Sequence, residues 1–126
     1  MTDGPGAGDG AGVDGCVFCG IVNGTLPSEV VLESEHSVAF RDLHPQAPVH
    51  VLVAPRRHID DAAALGAGDA EVLLDMHLTA RRVAEAEGIA ARGYRLIFNV
   101  GEDALNSVPH LHLHVIGGRR LSGQGG

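Results

Sequence analysis

Apolar and polar residues alternate strictly along one short segment late in the sequence. Residues 110–116 read HLHLHVI, with a histidine at every second position and Leu111, Leu113 and Val115 between or after the histidines. Because a β-strand turns successive side chains to opposite faces, this pattern predicts a strand with three imidazoles on one face. Their expected spacing of roughly 6.5 to 7 Å is too wide for the rings to stack as a core. The segment therefore predicts a functional site.

The rest of the pattern predicts short strands and loops. Two β-branched runs within residues 29–41 are separated by the polar residues 33–36, which favours two antiparallel strands joined by a tight turn. Residues 42–48 contain two prolines, which fix the backbone and remove hydrogen-bond donors, so we expect a loop there. The other predicted segments are a strand over residues 50–54, a strand over 94–100 and a loop over 101–107.

One long amphipathic helix is predicted over residues 70–87, after a short helical turn over residues 60–65. Asp69 is the expected N-cap and Gly88 the C-terminal stop. One face carries apolar residues at helical spacing, which predicts that it packs on the core. These residues are Leu73, Met76, Ala80, Val83 and Ala84. A long helix between short antiparallel strands is an α+β layout.

Length and charge limit the classes of function. The 126 residues fit one domain, which is small enough that dimerisation would help it to bury a core. The net charge of −7 argues against non-specific binding to a nucleic acid polymer or an acidic membrane. The sequence has no membrane-spanning apolar run and no signal-peptide pattern, so we expect a cytoplasmic protein.

Composition also predicts the domain boundaries. Residues 1–15 are almost entirely Gly, Ala, Asp and Pro, which predicts a disordered tail because such a segment buries too little surface to offset its ordering entropy. We expect the folded domain over residues 16–120 and a flexible tail over residues 121–126.

The only two cysteines are Cys16 and Cys19, in a C-x-x-C pair. Such a pair can be a redox site, half of a zinc site, or two small residues without special chemistry. No predicted strand precedes it, as a thioredoxin-like placement requires, so metal binding is the favoured interpretation. Neutral imidazole can also serve as a nucleophile, general base or metal ligand, so the histidine pattern alone leaves all three roles open.

HLHLHVI resembles the signature of the histidine triad (HIT) family of nucleotide hydrolases and transferases. The resemblance covers about residues 16–120 and is strongest to the Hint-like branch. It includes CVFCGIVNGTLPSEVVLES, VAFRDLHPQAPVHVLVAPRRHI and GYRLIFNVG. It implies an antiparallel sheet of about five strands, one long helix and one or two short helices, in a homodimer whose two sheets join.

The resemblance also implies a reaction, namely hydrolysis of purine nucleoside phosphoramidates or related AMP derivatives at the α-phosphate, at a P–N or P–O bond. The charged oxygens repel attack, so such a reaction needs an uncharged nucleophile and hydrogen-bond donors. By the family match, His112 would attack to give a nucleotidyl-histidine that water then cleaves. His114 and His50 would donate to phosphoryl oxygens. No organic cofactor is expected.

Further site residues follow from the same resemblance. Asn99 and Ser107 would complete the catalytic set, and Asp42 would bind the ribose hydroxyls. The expected ligand is a purine nucleotide, or its phosphoramidate or anhydride. The implied nucleotide-binding residues are Phe40, Asp42, Leu43, Asn99, Leu105, Asn106, Ser107, His112 and His114.

A structural zinc ion is implied by family members that begin with C-x-x-C. The matching ligands are Cys16, Cys19, His58 and His110. Two thiolates and two imidazoles make a closed tetrahedral site without an open position for substrate. The alternative is that His110 bonds the backbone and the cysteines stay free.

Two features depart from the family pattern. The chain has Leu105-Asn106-Ser107 where the family commonly has Gly-Gln-Ser, and it has no tryptophan and hence no Trp-containing C-terminal tail. Glycine lets a backbone approach a phosphate closely, whereas leucine adds a Cβ and a side chain. Two other functions therefore stay open: a nucleotide-binding or scaffolding protein with reduced turnover, and a catalytic zinc site on the HLHLH histidines.

Overall fold

The computed structural model describes residue 13 and residues 15–123. The predicted disordered tail lies almost entirely outside these residues, and so does the end of the predicted C-terminal tail. The helices are α1 (Val17–Val22) and α2 (Ala70–Ala86), and the strands are β1 (Val30–Glu33), β2 (Ser37–Arg41), β3 (Val49–Pro55), β4 (Tyr94–Ile97) and β5 (Leu113–Gly117). Short 3-10 turns cover Ala62–Ala64, Ala67–Asp69 and Glu102–Ala104.

The five strands form one antiparallel sheet in the order β1-β2-β3-β5-β4. The strand β5 follows β4 in sequence, yet it lies between β3 and β4 in the sheet. Its His114 pairs with Leu52 on one side and with Ile97 on the other. The predicted α+β fold, with five antiparallel strands and one long helix, is confirmed.

Alternation along β3 divides the core between the two faces of the sheet. Val51 and Val53 pack in one cluster with Met76 and Val83 of α2. The intervening residue Leu52 belongs to a second cluster on the opposite face, which α1 covers with Phe18 and Val22. All seven residues of β3 are buried, so this strand is covered on both faces. His114 faces the α1 side, because directly paired residues share a face and it pairs with Leu52.

The predictions for α2 need two corrections. Leu73 is 37% exposed, although Met76, Ala80, Val83 and Ala84 are buried as predicted. Asp69 makes no side-chain cap to α2, because the chain already turns helically over Ala67–Asp69. Its carboxylate instead accepts hydrogen bonds from the Gly66 backbone and from Arg57.

Among the described residues, no helix combines the length and apolar character needed to cross a membrane.

The two strands near the histidine segment are shorter than predicted. The strand expected over 94–100 ends at Ile97, and the strand expected from His110 begins at Leu113. Residues 110–112 bond outside the sheet: His110 N donates to Val108 O, and Leu111 N donates to Ile59 O. Because these bonds draw the chain away from the sheet, residues 99 and 100 have no strand opposite them in the register of β4 and β5.

Candidate active site

The structure separates the three histidines of HLHLH. The rings of His112 and His114 lie together, with centroids 5.0 Å apart, closer than the predicted same-face spacing of the strand. His110 instead points its Nδ1 atom at Cys16 and Cys19, 3.4 Å from each sulfur atom. The strand begins only after His112, so His110 is free to turn towards α1.

His112 and His114 line a cavity of about 300 Å³ on the α1 side of the sheet. All nine residues predicted to bind the nucleotide line this cavity. His50, predicted to act beside them, lies behind the cavity wall. It is only 5% exposed and reaches the site through a hydrogen bond to His114.

One wall of the cavity was not predicted. Val17, Phe18 and Ile21 of α1 line it. The ring of Phe18 makes edge-to-face contacts with Phe40, at 5.3 Å, and with His112, at 4.9 Å. The sequence contains an indication of this wall, because an aromatic residue, Phe18, lies between the two cysteines of the C-x-x-C pair. The cysteines themselves, however, favour metal binding at this segment. These residues give the cavity an apolar end suited to a flat ring.

A backbone carbonyl fixes the tautomer of His112. Its Nδ1 atom lies 2.7 Å from the carbonyl oxygen of His110. A carbonyl can only accept, so Nδ1 carries the proton and Nε2 keeps its lone pair. Burial lowers the pKa of His112, although the bond to His110 and the Asp42 carboxylate oppose this shift. His112 is therefore neutral near pH 7, with its lone pair on Nε2.

A second chain of hydrogen bonds fixes His50 and His114. The backbone N–H of Gln46 donates to His50 Nδ1 at 3.0 Å, so neutral His50 carries its proton on Nε2. That proton is donated to His114 Nδ1 at 2.9 Å, which places the His114 proton on Nε2. Burial lowers the pKa of His114 to about 4, and its histidine neighbours reinforce the shift. His114 is thus a neutral hydrogen-bond donor.

The amide of Asn99 lies at the end of this chain. Its Nδ2 atom stands 3.3 Å from His114 Nε2. Two N–H groups cannot bond each other, so a proton on His114 Nε2 requires Asn99 to present Oδ1 after a rotation of its amide. Asn99 then leaves its NH₂ group free to donate.

Ser107 is the free donor of the loop that precedes the triad. The N–H groups of Leu105 and Asn106 are already engaged, by the carbonyls of Glu102 and Gly101. Neither the N–H nor the hydroxyl of Ser107 has a hydrogen-bond partner among the residues that the structure describes. An oxyanion in the cavity can therefore bind Ser107 without displacing an internal bond.

Leu105 adopts the left-handed backbone conformation, with φ 63° and ψ 30°. It is the one non-glycine residue with positive φ in the described chain. Its side chain is 86% exposed, so the leucine borders the cavity without being packed into it. The loop accommodates this residue at the cost of backbone strain.

The four predicted metal ligands, Cys16, Cys19, His58 and His110, form a second cluster beside the cavity. The Sγ atom of Cys19 lies 3.2 Å from Nδ1 of His58 and 3.4 Å from Nδ1 of His110. Zinc–sulfur and zinc–nitrogen bonds at the tetrahedral angle place such atoms about 3.6 Å apart. Burial, more than any neighbour, raises the pKa of the Cys19 thiol to about 11.

Outer hydrogen bonds orient both histidines of this cluster. His58 Nε2 bonds the Asp60 carboxylate at 2.7 Å, and His110 Nε2 donates to the Pro55 carbonyl at 2.9 Å. Each ring therefore turns an unprotonated Nδ1 toward the sulfur atoms, as a metal ligand requires. Asp42, His50 and His114 are also close enough to share an ion. However, the proton on His50 Nε2 is donated directly to His114 Nδ1, so this hydrogen bond accounts for the contact between the two rings.

The fold and the cavity define a small α+β protein that presents neutral imidazoles to a nucleotide-sized cleft. The model of the HIT domain matches residues 23–121. The purine nucleoside phosphoramidase of Escherichia coli (strain K12) is 39% identical over 105 residues, covering 83% of this chain and 88% of that protein. A HIT-like protein of Azospirillum brasilense, described as uncharacterized, is 46% identical over 107 residues, covering 83% of this chain and 87% of that protein.

Solved structures agree with this match. The HIT family hydrolase from Legionella pneumophila Philadelphia 1 superposes with a TM-score of 0.85 at 41% identity, covering 88% of this chain and 99% of that one. The HIT family hydrolase from Clostridium thermocellum superposes with a TM-score of 0.84 at 44% identity, covering 87% and 96%. The chain belongs to the HIT family.

Proposed function

We propose that this protein hydrolyses purine nucleoside phosphoramidates or related AMP derivatives through a covalent nucleotidyl-histidine on His112. The observation that carries the proposal is the bond between His112 Nδ1 and the His110 carbonyl, which leaves a neutral Nε2 lone pair in a nucleotide-sized cavity. The phosphoramidase activity named for the Escherichia coli relative supports the same reaction class.

The first step forms one bond and breaks another. His112 Nε2 bonds to the α-phosphorus while the bond from phosphorus to the leaving amine breaks, and Ser107 or His114 passes a proton to the amine nitrogen. The water that attacks in the second step returns this proton to the donor. The ring becomes cationic, and its Nδ1–H bond to the His110 carbonyl stabilises that charge. Ser107 donates to the phosphoryl oxygens or to the leaving group, and His114 Nε2 does so when it exchanges its bond to Asn99 Oδ1 for one to the substrate. Water then attacks the same phosphorus, which releases AMP and restores neutral His112.

The nucleoside is placed by the two ends of the cavity. The base stacks in the apolar end formed by Phe18, Phe40 and Leu43. Asp42 lies between this end and the histidines, 3.4 Å from His50 Nε2, and its carboxylate accepts hydrogen bonds from the ribose hydroxyls. This order places the α-phosphate at His112.

Incubation with adenosine 5′-phosphoramidate tests the reaction. We expect AMP as the product and, after rapid quenching, a mass increase of one adenylyl group on the intact protein. His112→Asn should bind AMP but lose turnover and the adduct. His36→Asn, a histidine change outside the cavity, is the matched control and should keep both.

A nucleotide-binding protein with weak turnover is the second candidate, and the strained Leu105 is the observation that favours it. It predicts AMP binding by calorimetry without product formation or adduct. A catalytic zinc ion on the HLHLH histidines has less support, because His110 faces the cysteines and His112 Nδ1 is bound to a carbonyl.

We also propose that Cys16, Cys19, His58 and His110 hold one structural zinc ion. The support is the convergence of two sulfur atoms and two unprotonated nitrogens. The ion would tie the start of α1 to the segment before β5, and it would supply no chemistry to the cavity because its four ligands close the shell. A cytoplasmic location stays a prediction.

A homodimer with a continuous sheet is proposed from one edge of the protein. β4 is an edge strand of the sheet. Next to it lies an apolar depression lined by Ala70, Leu73, Leu74, His77, Leu96, Phe98 and Leu113. Pairing of two β4 edges would satisfy their free backbone groups and cover these side chains at once.

A further inference from the structure

Leu105 combines two unfavourable properties. It occupies the left-handed region at φ 63°, where an L side chain other than Asn or Asp is strained. Its side chain is also 86% exposed, the largest exposed fraction among the large apolar residues of the described chain. The residue therefore gains almost no burial in return for its strain. Strained residues that packing does not explain are concentrated at functional sites.

The position of Leu105 indicates what it contacts. It lines the cavity that holds His112 and His114, and it also lines a wider cavity of about 790 Å³. Only Leu105, Asn106 and Ser107 are common to the two linings. Leu105 therefore lies where the two cavities adjoin.

The proposed mechanism divides the substrate between these two spaces. The base and ribose occupy the cavity between Phe40 and Asp42, with the α-phosphate at His112 and Ser107. In-line attack by His112 Nε2 expels the leaving group on the side of the phosphorus opposite the ring. We assign to the leaving group the second cavity, which shares Leu105 and Ser107 with the first.

The second cavity has an apolar and an acidic side. Leu105 and Pro109 provide apolar surface, while Asp60, Asp61 and Glu102 provide carboxylates. Among the described residues that line it, none is a lysine or an arginine. An anionic leaving group would be repelled there, whereas a neutral or cationic group with an apolar segment would be accommodated.

We propose that Leu105 determines leaving-group specificity, favouring amines whose first few carbon atoms are apolar and that carry no negative charge. The inference rests on the proposed phosphoramidase reaction and specifies its substrate class. The apolar segment of the amine packs on the exposed side chain of Leu105, which the strained backbone holds where the two cavities adjoin.

Three adenosine 5′-phosphoramidates with amines of similar basicity test this inference: those of methylamine, n-butylamine and 4-aminobutyrate. We expect kcat/KM to be about tenfold higher for the butyl than for the methyl compound, since a few partly buried methylene groups give discrimination of this order. The 4-aminobutyrate compound has the same number of carbon atoms, but its last carbon is a carboxylate. It should therefore be the poorest substrate.

Two substitutions distinguish the effect of the apolar side chain from the effect of the backbone conformation. Leu105→Asn keeps a residue that tolerates positive φ but removes the apolar surface, and Leu105→Met restores apolar surface of similar size. The butyl-to-methyl ratio should fall to about one in Leu105→Asn and stay near the parent ratio in Leu105→Met. Val30→Ala, a change to an exposed aliphatic residue that lines neither cavity, should leave the ratio unchanged.

The possible outcomes are distinct. A parent protein that hydrolyses the methyl compound with no preference for the butyl compound would overturn the role of Leu105 and leave the phosphoramidase proposal standing. An unchanged ratio in Leu105→Asn would overturn it too. Failure of the parent to hydrolyse any of the three compounds would remove both proposals.

Discussion

His50 Nε2 lies 2.9 Å from His114 Nδ1, and one proton occupies the space between them. If both rings became cationic, two protons would face each other across this distance in a buried site. The pair therefore resists protonation, in agreement with the lowered pKa values of His50 and His114, for which burial is the largest cause. Both rings are thus held in their neutral forms.

The first prediction follows from these pKa shifts. A histidine with a lowered pKa stays neutral well below pH 6.5, so activity that needs neutral rings is present at pH 7 and is lost only on stronger acidification. We expect the acid limb of kcat/KM for adenosine phosphoramidate to lie below pH 6.5. Asp42→Asn should move it lower still, because the Asp42 carboxylate raises the pKa of all three rings.

The control for this pH profile is Glu71→Gln, which removes a carboxylate far from the cavity and should not move the acid limb. An acid limb at or above pH 6.5 in the parent protein would contradict neutral, desolvated imidazoles. An Asp42→Asn profile that only lowers the rate at every pH would assign Asp42 to ribose binding alone.

The second prediction concerns strain in the loop before the triad. Leu105→Gly should raise the free energy of unfolding by about 0.5 kcal/mol, since relief of about 1 to 2 kcal/mol of strain is partly offset by the greater unfolded-state entropy of glycine. Gly101→Ala, with φ 82° and open space around the new Cβ, should lower it by about 1 kcal/mol. Urea unfolding of the three proteins measures both changes, and a Leu105→Gly variant less stable than the parent would disprove the strain.

The third prediction is one zinc ion per chain in protein purified without added metal. Removal of the ion by a chelator should lower the melting temperature, because the unfolded chain has no preformed site. Cys16→Ser should melt at a lower temperature and contain little zinc. Asp60→Asn, which alters the partner of His58 Nε2, should weaken zinc affinity by about 10-fold to 100-fold.

Elemental analysis decides the zinc prediction. A stoichiometry near zero, with Cys16→Ser as stable as the parent, would mean that the cysteines are free thiols. Loss of zinc from His112→Asn would instead favour a metal at the triad.

The fourth prediction is that the protein is a dimer in solution. Leu74, 58% exposed on α2, lines the apolar depression beside β4, and Leu74→Glu should give a monomer because it places a charge in the proposed interface. Val30→Glu, on the opposite edge strand β1, should remain dimeric. Sedimentation velocity measures both, and a monomeric parent at micromolar concentration would exclude the dimer.

Local periodicity predicted much of this fold. The alternation at His112 and His114, the loop before His50 and the stripe on α2 each depend on residues a few positions apart, and sequence spacing reports such relationships directly. The family resemblance supplied the cavity residues that periodicity leaves undecided, such as Asn99.

What the sequence did not predict depends on distant contacts. The strand starts at Leu113 and not at His110 because Leu111 bonds Ile59, which is 52 positions earlier in the chain. The contact of Phe18 with His112 joins α1 to the end of the domain. Leu73 has the helical spacing of a core residue, but spacing does not show that its side chain remains 37% exposed.

The insertion of β5 between β3 and β4 also constrains the order of events during synthesis. His50 and His114 are 64 positions apart, so the pocket requires a long loop closure, which is slow compared with local hairpin formation. Strands β1, β2 and β3 can pair while the ribosome is still extending the chain. Strand β4 cannot pair until β5, which is synthesised after it, is available. A nucleotide that binds as proposed would therefore recognise only a chain whose sheet is fully assembled. Resistance to proteolysis in the presence of AMP would then report the last step of folding.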